Sequence, residues 1–299
     1  MISTMSHQTL VALSRDPIPE KMVFELKEHA LRLGASLHTV GGLVSNGSYF
    51  SERWDCSIHL DTNTREELRS ISSRFHVDLC FLKSGLNPQD IQVLAMDMDS
   101  TLINIECIDE IADFTGKKSA VAEITEATMR GEIKDFKESL RRRVALLEGV
   151  HADALESVYR ERLRPNPGAI ELLAGAHGRG IYTLLVSGGF TFFTEKLREQ
   201  LGFKQTQANT LEILDGKLTG QVLGDIVDGA AKAAHLDMAC QNLGCTKANA
   251  ITMGDGANDL MMMNDSGISV AYQAKPVVKE KADAAFDHVG LDAALLLIS

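Results

Sequence analysis

Asp97 and Asp99 stand two residues apart where the apolar run of VLAMDMDSTL ends. In an extended segment, side chains two apart share a face, and open α/β sheets bind ligands at the carboxyl ends of their strands. Two carboxylates in one crevice repel unless a cation or a shared proton compensates. Alone, the pair fits a capped strand end equally well. A second acidic cluster, Asp255, Asn258 and Asp259, follows another apolar run in AITMGDGANDL. Gly254 and Gly256 let the backbone turn sharply and approach a ligand closely. Carboxylates from two strand ends supply hard oxygen ligands that suit Mg²⁺, which keeps several waters and takes one or two carboxylates plus substrate phosphate.

Two further pieces suit phosphate. An apolar run over 184–186 leads into Ser187, Gly188 and Gly189 before a helical stretch, and exposed N–H groups at such a turn favour an anion. Ser187 equally suits a helix N-cap. Lys232, in VDGAAKAAHL, supplies a cation near the start of another helical stretch, though a lone lysine is ordinarily solvated.

The elements that must position these groups fall into two patterns. Residues 1–85 predict a β-α-β-β-α-β order, a ferredoxin-like α+β unit. Its strands are expected at 9–14, 36–44, 54–60 and 77–82, its helices at 19–33 and 64–75. A short polar linker follows. From residue 91, strands (91–98, 181–186, 250–253, 268–271) alternate with helices (190–201, 232–243, 257–264), with a short hairpin around Asp215 and Gly216. Alternation of this kind implies a doubly wound parallel sheet of Rossmann-like α/β type. The charged helical block over 108–164 reads as an insertion after the first strand.

Composition narrows the function classes. The chain has 299 residues, with 41 acidic against 30 basic side chains and a net charge of −11. That balance disfavours nucleic acid and membrane surfaces as partners. No apolar run approaches the ~20 residues that span a bilayer, and the N-terminus lacks the apolar core of a signal peptide. The 5 cysteines are odd in number and include no CxxC, which suits reduced thiols in a cytoplasmic protein.

In this order the four pieces resemble the haloacid-dehalogenase-like phosphohydrolases over residues 91–299. The resemblance implies Asp97 as nucleophile, Asp99 as general acid/base, Ser187 as a hydrogen-bond partner of the phosphoryl group and Lys232 as its counter-charge. It implies Mg²⁺, with Mn²⁺ as the alternative ion, on Asp97, Asp99, Asp255 and Asp259. The stretches DMDSTLINIECIDEIA and DFKESLRRRVALL resemble phosphoserine phosphatases more closely. That likeness implies Glu106 on the substrate ammonium, Arg143 on its carboxylate and Phe136 closing over it, with Gly188 and Asn258 beside them and a helical cap at about 106–165. The implied reaction is hydrolysis of O-phospho-L-serine, the last step of serine biosynthesis. Phosphohomoserine is the alternative substrate, and a non-catalytic amino-acid sensor the alternative class. The first 85 residues resemble ACT domains, implying an amino-acid effector or a dimerisation role, and a homodimer.

Overall fold

The run QTLVALS is buried almost throughout and forms β1 (Gln8–Ser14), a strand with a partner on each side. The computed structural model describes residues 8–40, 44–45, 47–129, 132–133 and 135–299. Helix α1 (Glu20–Arg32) buries Met22, Leu26 and Ala30, the four-residue stripe of a helix lying on a sheet. Then come β2 (Leu37–Thr39), β3 (Val44–Ser45) and β4 (Phe50–Cys56). Helix α2 (Thr62–Ser73) is N-capped by Asp61 and leads to β5 (Asp78–Leu82). The sheet order is β2-β4-β1-β5, with β3 also on β4.

Two strands differ from expectation. The one expected at 54–60 runs Phe50–Cys56, because Leu60 leaves the ladder, bonds the Gln8 side chain through its N–H, and passes the chain to the Asp61 cap. The one expected at 36–44 is ordered as β2 and β3, and 41–43 lie outside the described residues.

The second sheet begins at β6 (Val93–Met96), four buried residues. An insertion of helices follows: α3 (Cys107–Asp113), α4 (Lys118–Met129), α5 (Phe136–Ala145) and α6 (Asp153–Ser157). The alternating part is α7 (Ala169–Gly178), β7 (Tyr182–Phe190), α8 (Thr191–Leu201), the hairpin β8 (Gln205–Leu214) and β9 (Lys217–Leu223), and α9 (Gly229–Asn242). The chain closes with β10 (Ala250–Gly254), α10 (Leu260–Met263), β11 (Ile268–Tyr272), α11 (Pro276–Lys281), β12 (Ala284–Phe286) and α12 (Ala294–Leu297). The order is β12-β11-β10-β6-β7-β8-β9, parallel except for the β8–β9 hairpin. From β6 the chain winds first to β7 on one side and later to β10 on the other. The carboxyl end of β6 is therefore the switch point where a ligand crevice opens.

The hairpin is longer than the short one expected. Asp215 and Gly216 both take positive φ, at 49° and 74°, the two-residue turn whose twist matches its strands. β9 then reaches the inserted helices: Leu218 N–H bonds Val150 O at 2.8 Å, and Gly149 N–H bonds Leu218 O at 2.9 Å.

The N-terminal sheet is seated on the far edge of the second one. Phe81 N–H donates to Asp283 O at 2.8 Å. Arg69 donates to Lys279 O at 2.6 Å and to Ala282 O at 2.8 Å. Asp78 Oδ2 accepts three consecutive N–H groups, from Asp287 at 3.1 Å, His288 at 2.9 Å and Val289 at 3.0 Å.

Candidate active site

Asp97 leaves β6 with its N–H still bonded to Met253 O of β10 at 3.0 Å, so a paired strand end aims its side chain into the crevice. Its Oδ1 accepts from Met98 N–H at 2.7 Å and pairs with Lys232 Nζ at 2.7 Å. Lys232 stands on the first turn of α9, fully buried, and its ammonium also meets Asp259 Oδ1 at 2.7 Å. The other Asp259 oxygen accepts from Asp255 N–H at 3.2 Å and Gly256 N–H at 3.0 Å. Asp259 thereby holds both Lys232 and the turn that presents Asp255. Gly254 is required beneath it, since a Cβ there would lie 2.5 Å from the Asp259 carboxylate.

One ligand atom each from Asp97, Asp255 and Asp259 lies within 4.8 Å of the others. Burial, then the Asp259 charge, pushes the Asp97 carboxyl well above its ordinary range. The same two causes push Asp255 up to about 6. Burial alone would lower Lys232, but Asp259 and Asp97 outweigh it and raise it. Asp97 and Asp259 thus share one ammonium while Asp255 has no direct cationic partner among the described residues, and this oxygen-rich, charge-deficient cluster fits a hard divalent cation. Both Asp259 oxygens are already engaged by protein donors, which leaves Asp97 and Asp255 with the freer ligand atoms.

The Asp99 carboxylate, expected among the metal ligands, is turned elsewhere. Its Oδ1 accepts from Cys107 N–H at 2.9 Å and its Oδ2 from Ser187 Oγ at 3.4 Å. Burial raises its carboxyl. The residue between Asp99 and Thr101, Ser100, takes φ of 56°. That tight turn puts the Ser100 hydroxyl on Glu106 Oε1 at 2.7 Å and the Thr101 hydroxyl on Asp255 Oδ1 at 3.2 Å.

At the mouth, Glu106 is exposed and stands at the N-cap of α3, the first helix of the insertion. Desolvation, then the Asp99 charge, pushes its carboxyl up to about 8. On α5, Arg141 and Arg142 are exposed, whereas Arg143 is half-buried within the fields of Glu106, Asp109 and Asp99. Phe136, the first residue of α5, covers the phosphate-side turn: a Cβ on Gly188 would lie 3.0 Å from its Cζ. Ser187 is fully buried, and its Oγ accepts from Gly189 N–H at 2.8 Å. Asn258 sets its Oδ1 over Gly256, 2.3 Å from where a Cβ would stand.

A haloacid dehalogenase-like hydrolase family model matches residues 94–264, which contain every group just described. The chain belongs to the haloacid dehalogenase-like hydrolase family. Within that family, a phosphoserine phosphatase of Polaromonas sp. is 55% identical over 217 residues, covering 71% of this chain and 92% of the relative. The solved structure of an unliganded probable phosphoserine phosphatase from Vibrio cholerae superposes with a TM-score of 0.78 at 34% identity, over 97% of this chain and 86% of that one. A substrate-bound phosphoserine phosphatase complex gives 0.65 at 37% identity, over 70% of this chain and 99% of that one.

The family core gathers Asp97, Asp99, Ser187, Gly188, Lys232, Asp255, Asn258 and Asp259 around the carboxyl ends of β6, β7 and β10 at the centre of the sheet, with Glu106, Phe136 and Arg143 contributed by the insertion. Sequence reasoning passed over Ser100 and Thr101. Both lie inside the DMDST motif, and their hydroxyls were the available signal.

Proposed function

We propose that this protein hydrolyses O-phospho-L-serine to L-serine and phosphate through a phosphoryl group carried on Asp97. The observation that carries this reading is the pair Glu106 and Arg143, opposite in charge, at the mouth above the Asp97 carboxylate. A guanidinium forks a carboxylate, and a carboxylate pairs with an ammonium, so a phosphorylated amino acid bound by both charged ends would direct its phosphate inward. The likeness to a substrate-bound phosphoserine phosphatase supports the same substrate.

Lys232 and Met98 N–H occupy Asp97 Oδ1, leaving Oδ2 to attack phosphorus. As the bond from phosphorus to the serine oxygen breaks, Asp99, whose carboxyl is raised by burial, gives that oxygen its proton. The Asp99 carboxylate then takes a proton from the water that attacks the phosphoryl group, and phosphate leaves Asp97 free. Lys232 offsets phosphate charge, and the Ser187 hydroxyl turns from Asp99 to the phosphoryl oxygens. Asp255 would hold Mg²⁺ or Mn²⁺, with Asp97 and Asp259 in support; when bound, the ion would neutralise the charge of the transferring group. Phe136 excludes water from the closed site.

The β1-α1-β2-β3-β4-α2-β5 unit, with its antiparallel sheet order β2-β4-β1-β5, supports an ACT-like module that binds an amino-acid effector or pairs two copies into a homodimer in the cytoplasm. Serine titration calorimetry and sedimentation of the full chain check those two roles.

The test of the main reading is phosphate release from L-phosphoserine with and without Mg²⁺, beside phosphothreonine, phosphohomoserine and an aryl phosphate. Magnesium-dependent preference for phosphoserine, lost in Asp97→Asn, is the expected result. Activity on the aryl phosphate but not on phosphoserine would remove Glu106 and Arg143 from substrate recognition.

A further inference from the structure

β7 and β8 pair in regular register up to Val186, and pairing resumes only at Phe190 opposite Asn209. Ser187, Gly188 and Gly189 therefore interrupt the regular register of the ladder as a bulge. The Asn209 side chain supports that bulge. It is almost wholly buried, and its Nδ2 donates to Gly188 O at 2.8 Å. Its Oδ1 accepts from Val227 N–H at 2.8 Å. Val227 precedes Asp228, the N-cap of α9, which accepts from Ala231 N–H at 2.9 Å and so orients the helix turn carrying Lys232. Asp228 also pairs with Lys137 of the cap helix α5 at 3.2 Å.

We propose that Asn209 is a positioning residue that clamps the Ser187–Gly189 turn to the start of the Lys232 helix, setting the distance between the two phosphate-contacting groups. The inference rests on the proposed roles of Ser187 and Lys232. Its geometry is specific to an amide. One end must donate to a carbonyl and the other accept from an N–H, so a carboxylate keeps the second bond and turns the first into a repulsion between oxygens. A protonated carboxyl restores both.

The experiment compares wild type, Asn209→Asp and Asn209→Ala for kcat and KM on phosphoserine and on an aryl phosphate from pH 5.5 to 8.5, with thermal unfolding of each variant. At pH 8, both variants should lose about 10–100-fold in kcat, the order expected from a misplaced site, on both substrates. The ratio of Asn209→Asp to wild type should climb as pH falls and the introduced carboxyl, buried against the Gly188 carbonyl, becomes protonated. Asn209→Ala should show no such climb. A ratio flat with pH, or a kcat within twofold of wild type in folded Asn209→Ala, would overturn the proposal; the latter decides it even where Asn209→Asp does not fold. A wild type active on the aryl phosphate alone removes the substrate assignment and leaves the clamp testable on that substrate. A wild type active on neither sinks both.

Discussion

Asp97 and Asp99 are two residues apart, yet their environments assign them different work. Asp97 is held by an ammonium and a backbone N–H, Asp99 by one backbone N–H and a hydroxyl at 3.4 Å. Asp99→Asn keeps the shape and the Cys107 contact but cannot carry the proton. It should lower kcat by about 10²–10⁴-fold, the usual contribution of general acid/base catalysis, as measured by steady-state phosphate release. Glu106 supplies a pH signature. Desolvation, then the Asp99 charge, pushes its carboxyl in the free site up to about 8, and only its ionised form pairs with an ammonium. A raised carboxyl is protonated below that value, so kcat/KM for phosphoserine should rise with pH through about 8. In Glu106→Gln the profile should lose this limb and KM should increase; an unchanged profile would place the ammonium elsewhere.

At the scale of elements, the site is a contact between a helical insertion and a strand end. Helix α5 brings Phe136 onto Gly188 and Arg143 towards Glu106, while the β8–β9 hairpin supports the insertion through Gly149, Val150 and Leu218. Gly188→Ala puts a methyl 3.0 Å from Phe136 Cζ. Overpacking of this kind costs about 1–3 kcal/mol, here charged against closure. The expected result is a fall of about tenfold or more in kcat/KM, at 1.4 kcal/mol per decade, with unfolding temperature preserved. Phe136→Leu in the same chain should recover part of it by making room. Lys137 of α5 also pairs with Asp228 at the start of α9, but both are partly exposed, and such pairs contribute about 0–1 kcal/mol. Lys137→Met should therefore change kcat/KM by only a few-fold.

Across the whole molecule, a few side chains of the N-terminal unit fasten it to the second sheet. Asp78 is buried and satisfies three backbone N–H groups. Asp78→Ala leaves them without a partner, at about 1–3 kcal/mol, and should lower the midpoint of denaturant unfolding. Burial outweighs those N–H groups and raises the Asp78 carboxyl to about 6. The native state thus holds a proton that the unfolded chain releases at ordinary carboxylate pH. Stability from this group is fully present below about 4 and lost as pH rises through about 6. Unfolding free energies at pH 4, 5, 6 and 7 should show a smaller decline in Asp78→Asn than in wild type.

What the sequence determined by itself was chemistry and alternation. The acids after two apolar runs, the Ser-Gly-Gly turn and the strand–helix order announce a doubly wound sheet with a phosphate site, because backbone period and side-chain type are local properties. Glu106, Phe136 and Arg143 were legible only through likeness to known sequences, since nothing in a charged helix says which face meets a site. In the tertiary structure Arg143 is half-buried while Arg141 and Arg142 are exposed. Only that structure showed that Asp99 faces Cys107 and Ser187 instead of the carboxylate cluster, and that Asp259 spends both oxygens on Lys232 and a turn. Asn209 carried no sequence signal at all. Its role depends on a register break between two strands and on a residue 18 positions further along the chain. Such long-range hydrogen bonds exist only once the sheet has closed.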